Sequence, residues 1–237
     1  MFKRNIYLKR GVIAFLGFLL VTACKRENIP GENEIKDPRD GTIYKTVQLG
    51  DKVWMAENLA FLPFVDSSHI ESDSAGHYYV YGYQEPKLSI ARQTTNYFTY
   101  GVLYNYTAAI KACPEGWHLP SDHEWKDLES FFGMDPEEFY ITGYRKSGDV
   151  GDKIKSPYGW EGSGYGIDEP GFNARGGGRR IAFSGTFLDM GTHAFFWAST
   201  ITANNNAMVR YLVRDSSGIF RSEGSVKNAF SVRCVRD

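Results

Sequence analysis

Three cysteines, at positions 24, 113 and 234, constrain this 237-residue chain more than any other feature. Cys24 ends an N-terminal segment unlike the rest: residues 1–23 hold four basic residues, no acidic one, and an apolar run over 11–23. This pattern is typical of a secretory signal peptide. The run has 13 residues, whereas a membrane-spanning helix needs roughly 20. We therefore expect cleavage of this segment instead of a permanent transmembrane anchor.

The residues around the expected cleavage site, Val21-Thr22-Ala23-Cys24, resemble the lipobox of bacterial lipoproteins, where the cysteine becomes the acylated first residue. A cysteine placed by chance after an ordinary signal peptide is the alternative. Acyl chains such as palmitate contribute about 0.8 kcal/mol per buried methylene, so two or three of them anchor a protein stably. We predict a lipid-anchored extracytoplasmic protein at the outer membrane or cell surface. Its parts are a signal peptide (1–23), a polar tether (24–40) and one domain (41–237).

The charge of the mature chain argues against nucleic acid as a partner. Cleavage before Cys24 leaves 23 Lys and Arg against 28 Asp and Glu, a formal charge of −5. Nucleic-acid binders neutralise phosphates with basic stripes. The only basic cluster, Arg179-Arg180, is too short for this and reads as a solvated turn or a local ion pair.

Cys113 and Cys234 remain once Cys24 is assigned to lipid. An oxidising compartment favours a disulfide between them, with two free thiols as the alternative. The bond would close a loop of about 120 residues, worth roughly 4 to 5 kcal/mol on the disputed chain-entropy model.

Periodicity predicts the early elements of the domain. Residues 42–49 and 53–55 flank a Gly50-Asp51 turn and predict a hairpin. Residues 78–106 contain eight tyrosines around a polar segment, 84–96, that we interpret as a loop. An apolar stripe predicts a first helix over 103–112. A capping box of Ser121 and Glu124 predicts a second helix, which Gly133 ends, with Asp122 and Asp127 on its exposed face.

The later half of the chain predicts loops and strands. Ten glycines lie between 148 and 178, which indicates a long irregular excursion of the kind that often carries function. Short strands are predicted over 183–187, 194–199, 208–214 and 230–235. The result is one α+β domain, with two helices early and an antiparallel sheet late.

Several segments resemble the Fibrobacter succinogenes major paralogous domain, a family of envelope lipoproteins common in Bacteroidetes and their relatives. The matching segments are Thr46–Leu59, Tyr100–Tyr106, Ala112–Ser121, Gly171–Ala174, Phe196–Thr200 and Ser231–Val235. They follow the family's order over about residues 41–237.

That resemblance implies a single C-type lectin-like domain, in which two early helices pack on twisted antiparallel strands. In such domains a cysteine after the first helix pairs with one in the last strand, which matches Cys113 and Cys234. The Gly-rich excursion would then be the long loop region that binds ligands. Calcium-dependent lectins carry a Glu-Pro-Asn or Gln-Pro-Asp triplet there, whereas this chain has Glu169-Pro170-Gly171. Because glycine supplies no side-chain oxygen, we predict no calcium-bridged sugar site.

An enzyme is the rival class, because the related formylglycine-generating fold is catalytic and uses reactive cysteines. Every cysteine here is otherwise assigned, and no Ser/His/Asp or paired-carboxylate arrangement can be specified from sequence order. His118 and His123 with Glu124 suggest a metal site only weakly, since Glu124 is engaged in capping. We predict no catalytic residue, no metal and no cofactor.

A binding or adhesion module therefore remains, with a glycan or an envelope protein as partner, or a structural subunit of a surface assembly. A sugar site on the excursion would use Trp160 and Tyr165 as stacking platforms. Its hydrogen-bonding groups would be Asp168, Glu169, Asn173 and Arg175. The competing interpretation for Trp160 is that its indole fills the core beneath the loop.

Overall fold

The structure is a computed structural model that describes residues 1, 31–162, 166–203 and 205–237. These residues form mostly β-structure, with 14 strands in two sheets and five short α-helices. The helices are α1 (Leu88–Ala91), α2 (Thr95–Tyr100), α3 (Tyr106–Ala109), α4 (Asp122–Phe131) and α5 (Val150–Ile154). Single 3₁₀ turns cover Pro136–Glu138 and Ser147–Asp149. Among these described residues, no helix is long and apolar enough to span a membrane.

The smaller sheet joins the two ends of the domain. Its strands are β1 (Glu34–Lys36), β2 (Ile43–Leu49), β3 (Lys52–Met55), β6 (Trp117–His118) and β14 (Val235–Arg236), in the order β1-β2-β3-β14-β6. The predicted hairpin is confirmed as β2 and β3, which pair with Val47 opposite Trp54. Strand β1 pairs with β2 inside the segment predicted as a tether, so the fold begins before residue 41.

The larger sheet holds the remaining nine strands. They are β4 (Tyr78–Tyr79), β5 (Leu103–Asn105), β7 (Gly143–Arg145), β8 (Gly177–Arg180), β9 (Phe187–Met190), β10 (His193–Ile201), β11 (Asn206–Val213), β12 (Ile219–Ser225) and β13 (Ala229–Phe230). Their order is β4-β5-β13-β8-β10-β11-β12-β7, with β9 paired to β8.

The prediction of an α+β, C-type lectin-like domain with two early helices is wrong. The segment predicted as the first helix begins as strand β5, because Tyr104 pairs with Tyr78 on one side and with Phe230 on the other. Only the four residues of α3 are helical, capped by the Asn105 side chain. Tertiary strand pairing here outweighs a helical stripe of apolar residues.

The second predicted helix is confirmed as α4, and both hydrogen bonds of its capping box are present. Its buried face carries Trp125, which packs 5.2 Å from Trp54 between ring centroids and 5.7 Å from Phe196. A second core surrounds Trp197, whose indole N–H donates to the carbonyl of Tyr104 at 2.8 Å. The larger sheet lies between the two cores.

A buried network of ion pairs fastens α4 to the larger sheet. The Glu129 carboxylate accepts two hydrogen bonds from Arg145, at 2.6 and 2.7 Å, and one from Arg210 at 2.6 Å. Asp122 pairs with Arg210 and Arg221. The prediction of an exposed Asp122 is therefore wrong, since this carboxylate faces the sheet, and the two guanidinium groups hold the pKa of Asp122 well below its usual range against the effect of burial.

Arg179 and Arg180 also have different environments. Arg179 forms the local ion pair that the sequence allowed, with Asp189 at 2.7 Å. Arg180 is fully buried and donates to the carbonyls of Ser68, Ile70 and Lys227, so it belongs to no solvated turn.

Candidate functional site

A cleft of about 430 Å³ lies beside α2, and we call it the α2 cleft. One wall is formed by α2 and the residues that flank it. The other wall is formed by the start of β2, by the segment 57–60 and by Asn173 and Arg175, which precede β8. The lining residues are Thr42, Tyr44, Glu57, Asn58, Ala60, Arg92, Tyr97, Phe98, Thr99, Tyr100, Gly101, Asn173 and Arg175.

Local sequence explains why α2 begins and ends where it does. The Thr94 side chain accepts a hydrogen bond from the Tyr97 amide and caps the helix. Gly101 ends it with φ of +75°. A Cβ on Gly101 would lie 2.7 Å from the carbonyl oxygen of Leu59, so glycine is required for this close approach. The end of α2 is thereby held against the segment 57–60.

Hydrogen bonds fix the two walls relative to each other. The Tyr97 hydroxyl donates to the Ala60 carbonyl at 2.9 Å, and the Tyr44 hydroxyl accepts from the Ala60 amide at 3.0 Å. The Asn58 amide donates to the Tyr100 carbonyl at 3.0 Å. The α2 cleft is therefore preformed in this structure.

The lining combines rings with planar polar groups. Phe98 is 72% exposed and projects from α2 next to Tyr97, at 5.7 Å between ring centroids. Burial raises the pKa of the Tyr100 hydroxyl, and the positive charge of Arg175 partly offsets this, which places that guanidinium near the ring. Within the described ranges the Glu57 carboxylate forms no hydrogen bond or ion pair, so it is available to a ligand.

Two of the predicted ligand-binding residues, Asn173 and Arg175, line the α2 cleft. Asp168 is half-buried behind Asn173, and its carboxylate accepts a hydrogen bond from the Asn173 amide at 2.6 Å. Burial raises the pKa of Asp168, while its hydrogen bonds and nearby arginines oppose the shift. Glu169 is exposed outside the lining.

Trp160 does not provide the predicted platform. Its side chain is 8% exposed and belongs to the core around Trp125, and its indole N–H donates to the Ala174 carbonyl at 3.1 Å. A ring whose faces are covered by protein cannot stack on a sugar. Trp160 is therefore a core residue, as the competing interpretation states. The second predicted platform, Tyr165, lies outside the described residues.

Of the two predicted covalent modifications, the disulfide lies within the described residues and the lipid attachment at Cys24 does not. Cys113 and Cys234 form the predicted disulfide, with 5.8 Å between their Cα atoms. Cys24 and the signal peptide cleavage site lie outside the described residues. In the described ranges no group of three or more His, Cys, Asp or Glu side chains is arranged to hold a metal ion.

The His118 ring lies between the carboxylates of Asp237 and Glu124, an arrangement that we call the clasp. Its Nδ1 lies 2.5 Å from the Asp237 carboxylate and its Nε2 lies 2.9 Å from Glu124. Lys52 also contacts Glu124, at 3.0 Å. Burial lowers the pKa of His118, but the two carboxylates outweigh it and raise the value overall. The clasp fastens the C-terminal strand to the start of α4.

A second cavity, of about 240 Å³, lies on the larger sheet at one end of an aromatic row. The row runs through Phe195, Tyr211, Phe220 and Tyr144, with centroid separations of 5.2, 4.4 and 5.0 Å. Tyr211 stacks on Phe195 and on Phe220, with 29° and 11° between the planes, and Tyr144 lies tilted at 43° against Phe220. The faces of Tyr211 and Phe220, inside the row, are therefore occupied by neighbouring rings. The α2 cleft is therefore the better candidate for ring stacking.

The family model described as Fibrobacter succinogenes major domain matches residues 47–236. The chain belongs to this family. No curated protein and no solved structure was found to match the chain. Membership in the Fibrobacter succinogenes major domain family confirms the resemblance seen in the sequence, and the name of the family specifies no ligand or reaction.

The wall formed by α2 and the residues that flank it is not predicted from the sequence. The sequence predicts a loop over residues 84–96, which contain Arg92, and neither Arg92 nor Phe98 is among the predicted site residues. A usable signal was present, because Thr94 is a capping residue and Gly101 follows seven residues later as a helix terminator. Glu57 and Asn58 lie in a family motif but carry no periodic signal that would assign them to a cleft.

Proposed function

We propose that this protein is a non-catalytic lipoprotein of the cell envelope that binds a glycan, without calcium, in the α2 cleft. The observation that carries the proposal is the lining itself, where the exposed ring of Phe98 adjoins the planar polar groups of Glu57, Asn173 and Arg175. Sugars present apolar C–H faces surrounded by hydroxyls, and proteins recognise them with aromatic rings beside such polar groups.

The chemistry of the lining favours binding over catalysis. Glycoside hydrolysis in most families needs a pair of carboxylates on opposite sides of the scissile bond. The described lining holds one, that of Glu57. The rival formylglycine-generating type of enzyme needs reactive cysteines, whereas Cys113 and Cys234 are joined in a disulfide.

Lipid attachment at Cys24 and a location at the outer membrane or cell surface are part of the same proposal. They rest on the basic and apolar residues 1–23 and on the lipobox-like Val21-Thr22-Ala23-Cys24. A binding module held to a membrane by its N-terminus would meet glycans of the envelope or of the surroundings.

A glycan array tests the proposal with the full chain purified in detergent. We expect binding to a restricted set of glycans and a roughly fivefold or greater loss of affinity for Phe98→Ala, because a ring stacked on a sugar contributes about 1 kcal/mol or more. Phe183→Ala is the matched control, since Phe183 is fully exposed on a turn outside the lining. Absence of binding on the array, or equal losses for both variants, would refute glycan binding in the α2 cleft.

A further inference from the structure

Two arginines of the α2 cleft have no carboxylate partner among the described residues. The Arg92 guanidinium donates one hydrogen bond, to the Leu62 carbonyl at 2.7 Å. The Arg175 guanidinium donates one to the Thr99 carbonyl at 3.2 Å. In both, Nε is buried without a hydrogen-bond partner in the described structure. Each guanidinium carries five N–H groups, so most of their hydrogen-bonding capacity is unused.

A third guanidinium lies beneath the cleft. Arg233 is fully buried, and its N–H groups donate to the carbonyls of Met55 and Phe172 and, at 2.7 Å, to the Asn58 side chain. Its Nε has no hydrogen-bond partner within the described ranges, and none of its contacts there is an ion pair. Burial lowers the pKa of Arg233 to about 9, opposed by the charges of Glu57 and Asp168, so the group stays charged at neutral pH.

The local charge is opposite to that of the whole chain. The chain carries a formal charge of −1, yet the cleft region combines Arg92, Arg175 and Arg233 against Glu57 in the lining and Asp168 behind it. Charges in a cleft with low-dielectric walls concentrate the potential at its mouth. Arginine also matches the planar geometry of a carboxylate and can bind it through two parallel hydrogen bonds.

We propose that the glycan bound in the α2 cleft is acidic, and that the guanidinium groups of Arg92 and Arg175 bind the carboxylate of a uronic acid unit. This inference rests on the proposed function, and it specifies the class of ligand. Phe98 supports the ring of the sugar, and Arg233 supplies positive potential from below without touching the ligand.

Matched acidic and neutral probes test the inference. The full chain is titrated by calorimetry with tetramers of galacturonate, glucuronate and mannuronate, and with the methyl ester of each, which keeps the ring but removes the charge. We expect at least one acid to bind about ten times or more tightly than its ester, because hydrogen bonds between charged groups contribute about 1.5–3 kcal/mol. Binding of the acid should weaken as salt is raised.

Variants then locate the carboxylate. Arg175→Gln and Arg92→Gln should each remove most of the preference for acid over ester, while Arg175→Lys should retain part of it. Arg236→Gln is the matched control, because Arg236 is exposed on β14, outside the lining, and loses the same charge. Melting temperatures of all variants are compared, and Arg92→Gln decides the question if Arg175→Gln fails to fold.

The outcomes separate this inference from the proposed function. Equal binding of acids and esters, reduced by Phe98→Ala, would refute the acidic ligand and leave glycan binding in place. Equal losses for Arg236→Gln and the cleft variants would also refute it. No binding of any tetramer, together with an array on which nothing binds, would refute both.

Discussion

Replacing Glu129 by glutamine tests whether the buried ion pairs hold α4 on the larger sheet. The native carboxylate accepts three short hydrogen bonds from Arg145 and Arg210, and all three side chains are fully buried. Glutamine keeps the volume but removes the negative charge, and its NH₂ group would face a guanidinium donor. Arg210 retains Asp122 as a partner. Besides the glutamine oxygen, the described side chains leave Arg145 only the sulfur of Met134, at 3.4 Å.

The expected cost follows from the charge that is left behind. Breaking a buried ion pair by removing one partner typically destabilises a protein by about 3–5 kcal/mol, because a buried charge loses its compensation. For a domain of this size, about 1 kcal/mol lowers the melting temperature by roughly 2–4 °C. We therefore expect Glu129→Gln to melt about 6–20 °C below the native protein.

Urea unfolding followed by tryptophan fluorescence measures the effect. Glu137→Gln is the matched control, because Glu137 is exposed and its change should stay within about 0.5 kcal/mol. The double variant Glu129→Gln/Arg145→Met should recover part of the loss, since it also removes the uncompensated cation. A loss below about 1 kcal/mol for Glu129→Gln, or no recovery in the double variant, would refute the reasoning.

Three further predictions concern the chain's ends and its disulfide. Cys234→Ser should lower the free energy of unfolding by about 2–5 kcal/mol, and equal melting of the native and variant proteins would contradict this. Since its carboxylate partners raise the pKa of His118, their stabilisation is complete below about pH 6.5. This stabilisation is lost as the pH rises through the folded-state pKa of His118. The difference in melting temperature between the native protein and His118→Gln should therefore become smaller when melting is measured at alkaline pH. Cys24→Ala should leave the protein unlipidated and release it from washed membranes, whereas unchanged retention would speak against the lipid anchor.

The elements that the sequence predicted correctly are those with local signals. The hairpin of β2 and β3 follows from a turn between two β-forming runs, and α4 follows from its capping box. Strand β12 was missed because its residues, Ile219–Ser225, are mostly polar. It is a strand because β11 and β7 pair with it on its two sides, with Tyr211 and Tyr144 both opposite Phe220. Such pairing partners lie too far away in sequence for local patterns to reveal.

The difference between local and long-range signals also explains which residues of the candidate site could be predicted. Asn173 and Arg175 were selected because polar groups in a glycine-rich segment often bind ligands, and they do line the cleft. Trp160, in the same segment, is a candidate platform because its ring could stack on a sugar, yet its side chain is buried. Composition does not indicate which side of a loop faces the core. The opposite wall, with Phe98, comes from a segment more than 70 residues earlier, which only the fold brings alongside.

The guanidinium groups under and around the α2 cleft, which form no ion pair within the described ranges, connect stability with binding. A buried guanidinium without a carboxylate destabilises the fold relative to a paired one, and Arg233 occupies such a position while it joins Asn58 to the backbone at Phe172. The same residue therefore shapes the cleft and adds a positive charge beneath it. An anion bound nearby would offset that cost and stabilise the native state by about 2.7 kcal/mol at a concentration 100 times its dissociation constant. An acidic glycan should thus raise the melting temperature more than its methyl ester does, and the excess should disappear in Arg175→Gln but persist in Arg236→Gln.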